Sequence, residues 1–532
     1  MKPLRQVVAL GLICGCVFGA PLTAQNSDTA GSEEPLSAID WLSQSVEQPE
    51  TVAAPFAAPG SSRATRQPPI DEAPVTDSAT APDVTVQPLG NAAPRTLGLL
   101  SPALTGLPTT LWSNSDVTTL AALLAAQDVE TLPALQSLLI TMILTEADPP
   151  FEAATPGLFF QTRIDKLLNF GALAEAEAML DAATPDTSAL FRRFFDVSLL
   201  TGTENRACRS LSEKPDVAPT PAARIFCLAR SGDWSAAALT LNTSRALGDL
   251  DDATADLLAR FLDPELFEGQ AVPTPPEPMT PLMFRMFEAI GEPLNTSTLP
   301  RAFAHSQLRP AAGWKAQLEA AERLAETGAI DANVLMSLYT QRRPSASGGV
   351  WERAAAVQAL QSALENADAE AMDDALEDLW SETRNGALLS LIAEHYAEDM
   401  LTLADDTRDP DRLFETLLLT SKYEEAALIL NLSQTAPFLA SVAFGAPESS
   451  LAMVPDETTI TDAFQSEPDA RLVALSADGK LGEAVLRTLA TVQQGLEGDR
   501  IALAQGIATL RALGLEDTAR QTALQFYLLD RR

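Results

Sequence analysis

Apolar residues recur at intervals of three and four from about residue 96 to the end of the chain. That interval lines one face of an α-helix, whereas a half-buried strand alternates every second residue. It predicts helices over 116–126, 133–147, 159–170, 173–183, 187–200, 205–212, 221–231, 234–247 and 253–262. A second series covers 281–290, 311–327, 332–341, 350–366, 369–380, 387–403, 412–420 and 424–432. A third covers 470–475, 481–496, 500–513 and 516–528. Ser115 is the expected N-cap of the first helix, and Pro149 and Pro150 close the first pair. The stripe of Leu190, Phe191, Phe194, Phe195, Val197 and Leu199 is wide enough to lie between two neighbours. No alternation of useful length predicts a strand, so the expected class is all-α.

Breaks in the period divide the chain. Residues 263–280 contain Pro273, Pro275, Pro276 and Pro278, which suit neither a helix interior nor a central strand. This is the expected boundary between an N-terminal helical array, 96–262, and a C-terminal one, 281–532. Further loops are expected at 343–349 and 445–460. Residues 25–95 are rich in Pro, Ala, Ser, Thr and Asp and lack a sustained apolar period, the composition of a disordered leader. Within it, Leu36, Ile39, Leu42 and Val46 fall on one face of a short helix over 36–46, with Trp41 beside them. Two readings stand open: a motif that binds a partner or the protein's own body, Trp41 included, or a transient helix with no partner.

A short phrase recurs through the helical region: a turn residue, an apolar residue two positions on, and an alanine three positions later. Its copies are Gly171-x-Leu173-x-x-Ala176, Gly232-x-Trp234-x-x-Ala237, Ser421-x-Tyr423-x-x-Ala426 and Gly479-x-Leu481-x-x-Ala484, with a looser Gly514-Leu515-x-x-x-Ala519. Gly or Ser suits a tight turn, the large residue covers the start of the helix, and the alanine lets that helix press against its partner's backbone. These copies resemble the start of the second helix in tetratricopeptide-like and Sel1-like repeats. The resemblance spans about ten residues per copy, the spacing is irregular and the full consensus is absent. It implies two-helix repeats stacked as an α-solenoid and carries over no functional residue. An exported array of this size is also similar in architecture to the superhelical parts of periplasmic lytic transglycosylases and of lipoprotein activators of cell-wall synthases.

Export itself is read from the first residues. Lys2 and Arg5 precede an apolar run from Val7 to Phe18, and small residues at Ala20 and Ala24 offer cleavage sites. This is the pattern of a signal peptide over 1–24, and the run is too short to span a bilayer. Ile13-Cys14-Gly15-Cys16 loosely resembles a lipobox, which leaves a lipid anchor at Cys16 as the alternative. The signal and the architecture together point to the periplasm of a Gram-negative envelope. No later stretch has the ~18 unbroken apolar residues of a membrane span.

Charge narrows the partners. The chain has 36 Lys and Arg against 72 Asp and Glu, a net charge of −36. Such a field repels nucleic acid and anionic lipid, and is consistent with a basic partner or simply with solubility. Beyond the signal region the cysteines are Cys208 and Cys227, on consecutive predicted helices. In an oxidising compartment an even pair suggests one disulfide; two buried thiols are the alternative.

Enzyme signatures are weak. Pro447-Glu448-Ser449-Ser450 superficially matches the Glu-Ser core of the transglycosylase motif, but the Gly-Leu-Met-Gln element downstream is missing. His305 lies between Pro300 and Pro310 and reads as a surface or capping histidine, and His395 as a solvated or packing residue on a helix. The spacing of a hydrolase elbow, a Walker loop or a metal centre is absent, so no catalytic residue, metal ligand or cofactor is assigned. The most unusual segment is 342–353. It gathers Arg342, Arg343 and Arg353 in an acidic chain, offers backbone donors at Gly348 and Gly349 before a helix start, and adds Trp351 as an apolar anchor. That combination suits a carboxylate or another anion. The plainer alternative is an interhelix loop whose arginines pair with acids and whose Trp is core.

The expected function is therefore a non-enzymatic periplasmic scaffold that binds envelope proteins or peptides. The alternatives are an enzyme or accessory of cell-wall polysaccharide metabolism, or a periplasmic anion-binding protein. One prediction follows from the cysteines. A Cys208–Cys227 bridge closes a ring of about twenty residues, which contributes roughly 3 kcal/mol by loop entropy. Cys208→Ser with Cys227→Ser should lower unfolding stability in urea by about that amount.

Overall fold

In the computed structural model, residues 97–150, 157–383, 385–429 and 437–529 are described. The signal segment, Cys16, the leader and Trp41 lie outside them. All regular structure in these residues is helical; one isolated bridge joins Leu100 to Thr145 and no strand forms among the described residues. None of these helices is long and apolar enough to cross a membrane.

The recurring phrase sets how neighbours pair. Ala176, Ala237, Ala426, Ala484 and Ala519 have no exposed surface, so each places a methyl where a larger side chain would hold two helices apart. Gly171, Gly232, Gly479 and Gly514 all have positive φ, which lets the chain reverse between a helix and the next. Trp234 is the exception among the large residues, 52% exposed; helix Trp234–Leu247 packs chiefly against Pro221–Arg230 and Asp252–Leu262. Cys208 and Cys227 are disulfide-bonded across Glu204–Glu213 and Pro221–Arg230, with Cα atoms 4.9 Å apart.

Caps follow local chemistry, with one correction. The first long helix, Val117–Ala126, is capped by Asp116 and not by Ser115. The Asp116 carboxylate accepts the Thr119 N–H at 2.8 Å and the hydroxyls of Thr118 and Thr119, which hold it below the usual carboxylate range. Ser115 is buried one residue earlier.

Beyond neighbour packing, the N-terminal helices meet the C-terminal ones. Helix Val117–Ala126 packs on Leu481–Leu496, and Pro133–Leu144 packs on Glu516–Leu529. The Gly482 N–H donates to the Leu111 carbonyl at 3.0 Å. Gln127 Nε2 donates to the Leu486 carbonyl at 3.1 Å, and the Ala134 N–H donates to Gln525 Oε1 at 2.9 Å. Middle helices close against the same region. Thr327 donates to the Phe170 carbonyl at 2.7 Å, and His305 Nε2 lies 2.6 Å from the Gly171 carbonyl. The latter contact requires His305 to carry its proton on Nε2, and burial pushes its pKa down. Across residues 263–280, helix Pro281–Ala289 packs on both Asp252–Leu262 and Ser188–Thr201.

The closure is tight at Gly482. A Cβ there would lie 2.5 Å from the Trp112 ring and 2.6 Å from the Leu111 carbonyl oxygen. Trp112 is itself buried, its ring edge-on to Phe159. Gly482→Val should therefore cost about 2–3 kcal/mol in urea unfolding. Gly313→Ala is the control: its φ is −67° and an added Cβ meets nothing within 4 Å, so it should change stability by less than about 0.5 kcal/mol.

Candidate functional site

The closure leaves a depression where four distant parts of the chain converge. Its first recess, of 690 Å³, is lined by Glu130, Arg301, Glu319, Glu322, Arg323 and Glu326 among others. A second, of 380 Å³, shares Glu130, Arg301 and Glu326 and continues past Thr131, Gln136 and Leu529. A third, of 450 Å³, shares Pro133, Gln136 and Thr327 with the second and runs on to Ile140, Ser390 and Leu391. The three recesses adjoin through these shared residues and form a row, the trough.

Each wall is fixed by its own hydrogen bonds. Gln136 Nε2 donates to the carbonyls of Val129 and Glu326, tying the N-terminal wall to the end of helix Trp314–Ala325. Arg301 donates from Nε to the Arg323 carbonyl at 2.9 Å and from its terminal nitrogen to Glu130 at 3.0 Å. Arg323 donates to the carbonyls of Thr296 and Leu299. Both guanidiniums are thus held against the wall. Glu326 is different: no hydrogen bond or ion pair reaches its carboxylate among the described residues. Burial raises its pKa, and the neighbouring Glu322 and Glu130 add to the rise against Arg301 and Arg323. At the far end, Glu394 accepts the N–H and hydroxyl of Ser421. Ser390 is 5% exposed and its hydroxyl has no partner.

The arginine loop divides. Arg353 points inward and grips Glu322 with two nitrogens, 2.8 Å from Nε to Oε1 and 2.5 Å to Oε2. Tyr339 donates to the same Oε1 at 2.7 Å. This buried pairing raises the Arg353 pKa, while burial first and Glu322 second push the Tyr339 hydroxyl well up. Trp351 is half-buried with its ring centre 5.0 Å from that of Trp314. Gly348 and Gly349, with φ of 95° and 60°, form the exposed turn before helix Val350–Glu365. Arg343 stays at the surface beside Arg342, on a separate recess of 330 Å³. The segment therefore does not gather its three arginines at one point. Its Trp351 and Arg353 are packing and pairing residues here, and Arg342 and Arg343 are left facing outward.

Glu448 is exposed on a loop, and His395 is exposed on helix Gly386–Thr402 against Tyr396. No group of three or more His, Cys, Asp or Glu is arranged to hold a metal among the described residues. The trough residues carry no signal in the sequence. Glu130, Arg301, Glu326 and Ser390 are ordinary helix and loop residues until the fold brings them together. The chain matches no protein-family model, no curated protein and no solved structure.

The loop geometry makes a direct prediction. Arg353→Met leaves the Glu322 carboxylate buried without its cation and should cost about 3 kcal/mol in urea unfolding. Arg343→Ala should stay within about 0.5 kcal/mol of the parent.

Proposed function

We propose that this chain is a non-enzymatic periplasmic scaffold of the bacterial envelope, an α-solenoid-like body of tetratricopeptide- or Sel1-like helix pairs drawn closed, which binds another envelope protein or peptide. The observation that carries this reading is the continuous trough lined by segments from the beginning, middle and end of the helical body. A surface assembled that way offers many modest contacts over a long path, as a binding body needs. Its side chains are mostly engaged in holding the walls, as Arg301, Arg323 and Glu394 are, and a preorganised wall lowers the ordering cost of association. Export by the signal segment, with or without an anchor at Cys16, and a leader that extends the reach of the body complete the proposal.

One observation favours a second reading. Glu130, Glu319 and Glu326 line one recess, and glycoside chemistry uses two carboxylates of differing proton affinity. An enzyme or accessory of envelope polysaccharide metabolism would use that end of the trough. The Arg342 and Arg343 recess is the corresponding place for an anion.

Photo-crosslinking in cells separates these readings. A crosslinking residue is placed at Glu319, on the trough, and a control at Arg192, which is 71% exposed. The scaffold reading expects one or two envelope proteins joined through position 319 and none through 192. Glycan joined at 319, with no protein, contradicts it and favours the polysaccharide reading.

A further inference from the structure

The trough has a direction. At one end four glutamates, Glu130, Glu319, Glu322 and Glu326, outnumber the two arginines that line it. Arg301 and Arg323 also line that recess, but their donors are occupied by backbone carbonyls and by Glu130. Glu319 is 56% exposed and meets only Lys315, one helical turn away at 3.4 Å. Glu326 is half-buried between Glu130 and Glu322 with no cation bonded to it. A carboxylate in that position gains from any positive group that enters.

At the other end the lining turns apolar, through Pro133, Ile140, Leu391 and Leu419. Gln136, Gln521, Gln525 and the Glu394 carboxylate interrupt it, polar groups that can meet the main chain of an occupant.

We infer that the trough takes an extended stretch of a partner polypeptide, with a Lys or Arg end among Glu130, Glu319 and Glu326 and apolar side chains along Ile140, Leu391 and Leu419. This rests on the reading of the chain as a binding scaffold and adds which segment it holds and in which direction. The net charge of −36 acts in the same sense, drawing a basic segment towards the body over a long range that salt shortens. The basic end sets the rate of encounter and the polarity of docking; the apolar end sets residence.

A displayed library of random dodecapeptides, selected on the immobilised full mature chain at low salt, tests this. The expected result is enrichment of peptides with one or two Lys or Arg at one end and apolar residues further along. A synthetic copy of an enriched peptide should bind about tenfold more weakly to Glu319→Gln with Glu326→Gln, and its affinity should fall with added salt. Leu391→Ala should shorten its residence without altering the salt dependence. Glu319→Gln alone touches only an exposed side chain, so it gives the same sign of effect should the Glu326 variant not fold. Enriched peptides without a basic residue, equal binding to the double variant, or no enrichment would overturn the inference. The crosslinking strain distinguishes this failure from that of the scaffold. If a Glu319→Gln, Glu326→Gln chain with the crosslinking residue moved to Asn169, on the same recess, still captures its envelope partner undiminished, the scaffold stands and the assigned basic end falls.

Discussion

The Gly482 N–H lies at the second position of its helix, where no carbonyl of that helix can accept it. It is satisfied by the Leu111 carbonyl, from the opposite end of the helical body. The rest of the structure depends on this contact and its companions at Gln127 and Ala134. A run of helix pairs that touched only their neighbours would have two free ends and no trough. Here the first helices are the hub: Leu481–Leu496 and Glu516–Leu529 pack on one side, and the turn at Gly171 meets Leu324 and His305 on another. Of these contacts, the Ala134–Gln525 hydrogen bond borders the third recess.

Such a hub needs polar satisfaction deep inside, and the chain supplies it in an unusual way. Arg163, 4% exposed, donates to the carbonyls of Leu97, Ile143 and Thr145. Lys166, 3% exposed, donates to those of Ala125 and Gln127. Ala125 and Ile143 belong to the last turns of their helices, where carbonyls lack intrahelical partners and the helix dipole is negative. Burial lowers the pKa of both cations, Arg163 to about 10, yet neither has a carboxylate bonded to it. In a chain with twice as many acids as bases, these two buried cations are used to end helices. The buried acids Glu204, Glu322, Asp373, Glu457 and Glu483 bond side chains or caps instead, as Glu322 does in orienting Tyr339 and Arg353.

Helix existence was legible where apolar spacing was strong. The helices Leu173–Ala183, Trp234–Leu247 and Leu481–Leu496 have the bounds their periodicity predicts, because a glycine turn precedes each or an alanine contact fixes its start. Helices were missed for different reasons. Pro437–Ala443 is short and follows residues without a period. Pro455–Gln465 reads as polar loop because its buried positions include Glu457 and Thr461; Glu457 caps the helix by accepting the N–H groups of Met453 and Val454 and also takes the Tyr527 hydroxyl. The 3-10 stretch Arg301–Leu308 is hidden between prolines for the same reason. The disulfide partners followed from counting cysteines. The trough could not have been read, since it joins residues from Glu130 to Gln525 and no local pattern encodes that meeting.

The closure is the central claim, and the exchange rate of the Gly482 amide proton measures it most directly. In an open array that proton faces solvent at the start of a helix and exchanges as fast as other first-turn amides. With Leu111 docked, it should exchange only when the two ends separate, as slowly as amides in the middle of Leu481–Leu496. Slow exchange at Gly482, lost in a Trp112→Ala chain that keeps its helix content, is the predicted result. Fast exchange in the parent chain would contradict closure, and with it the trough.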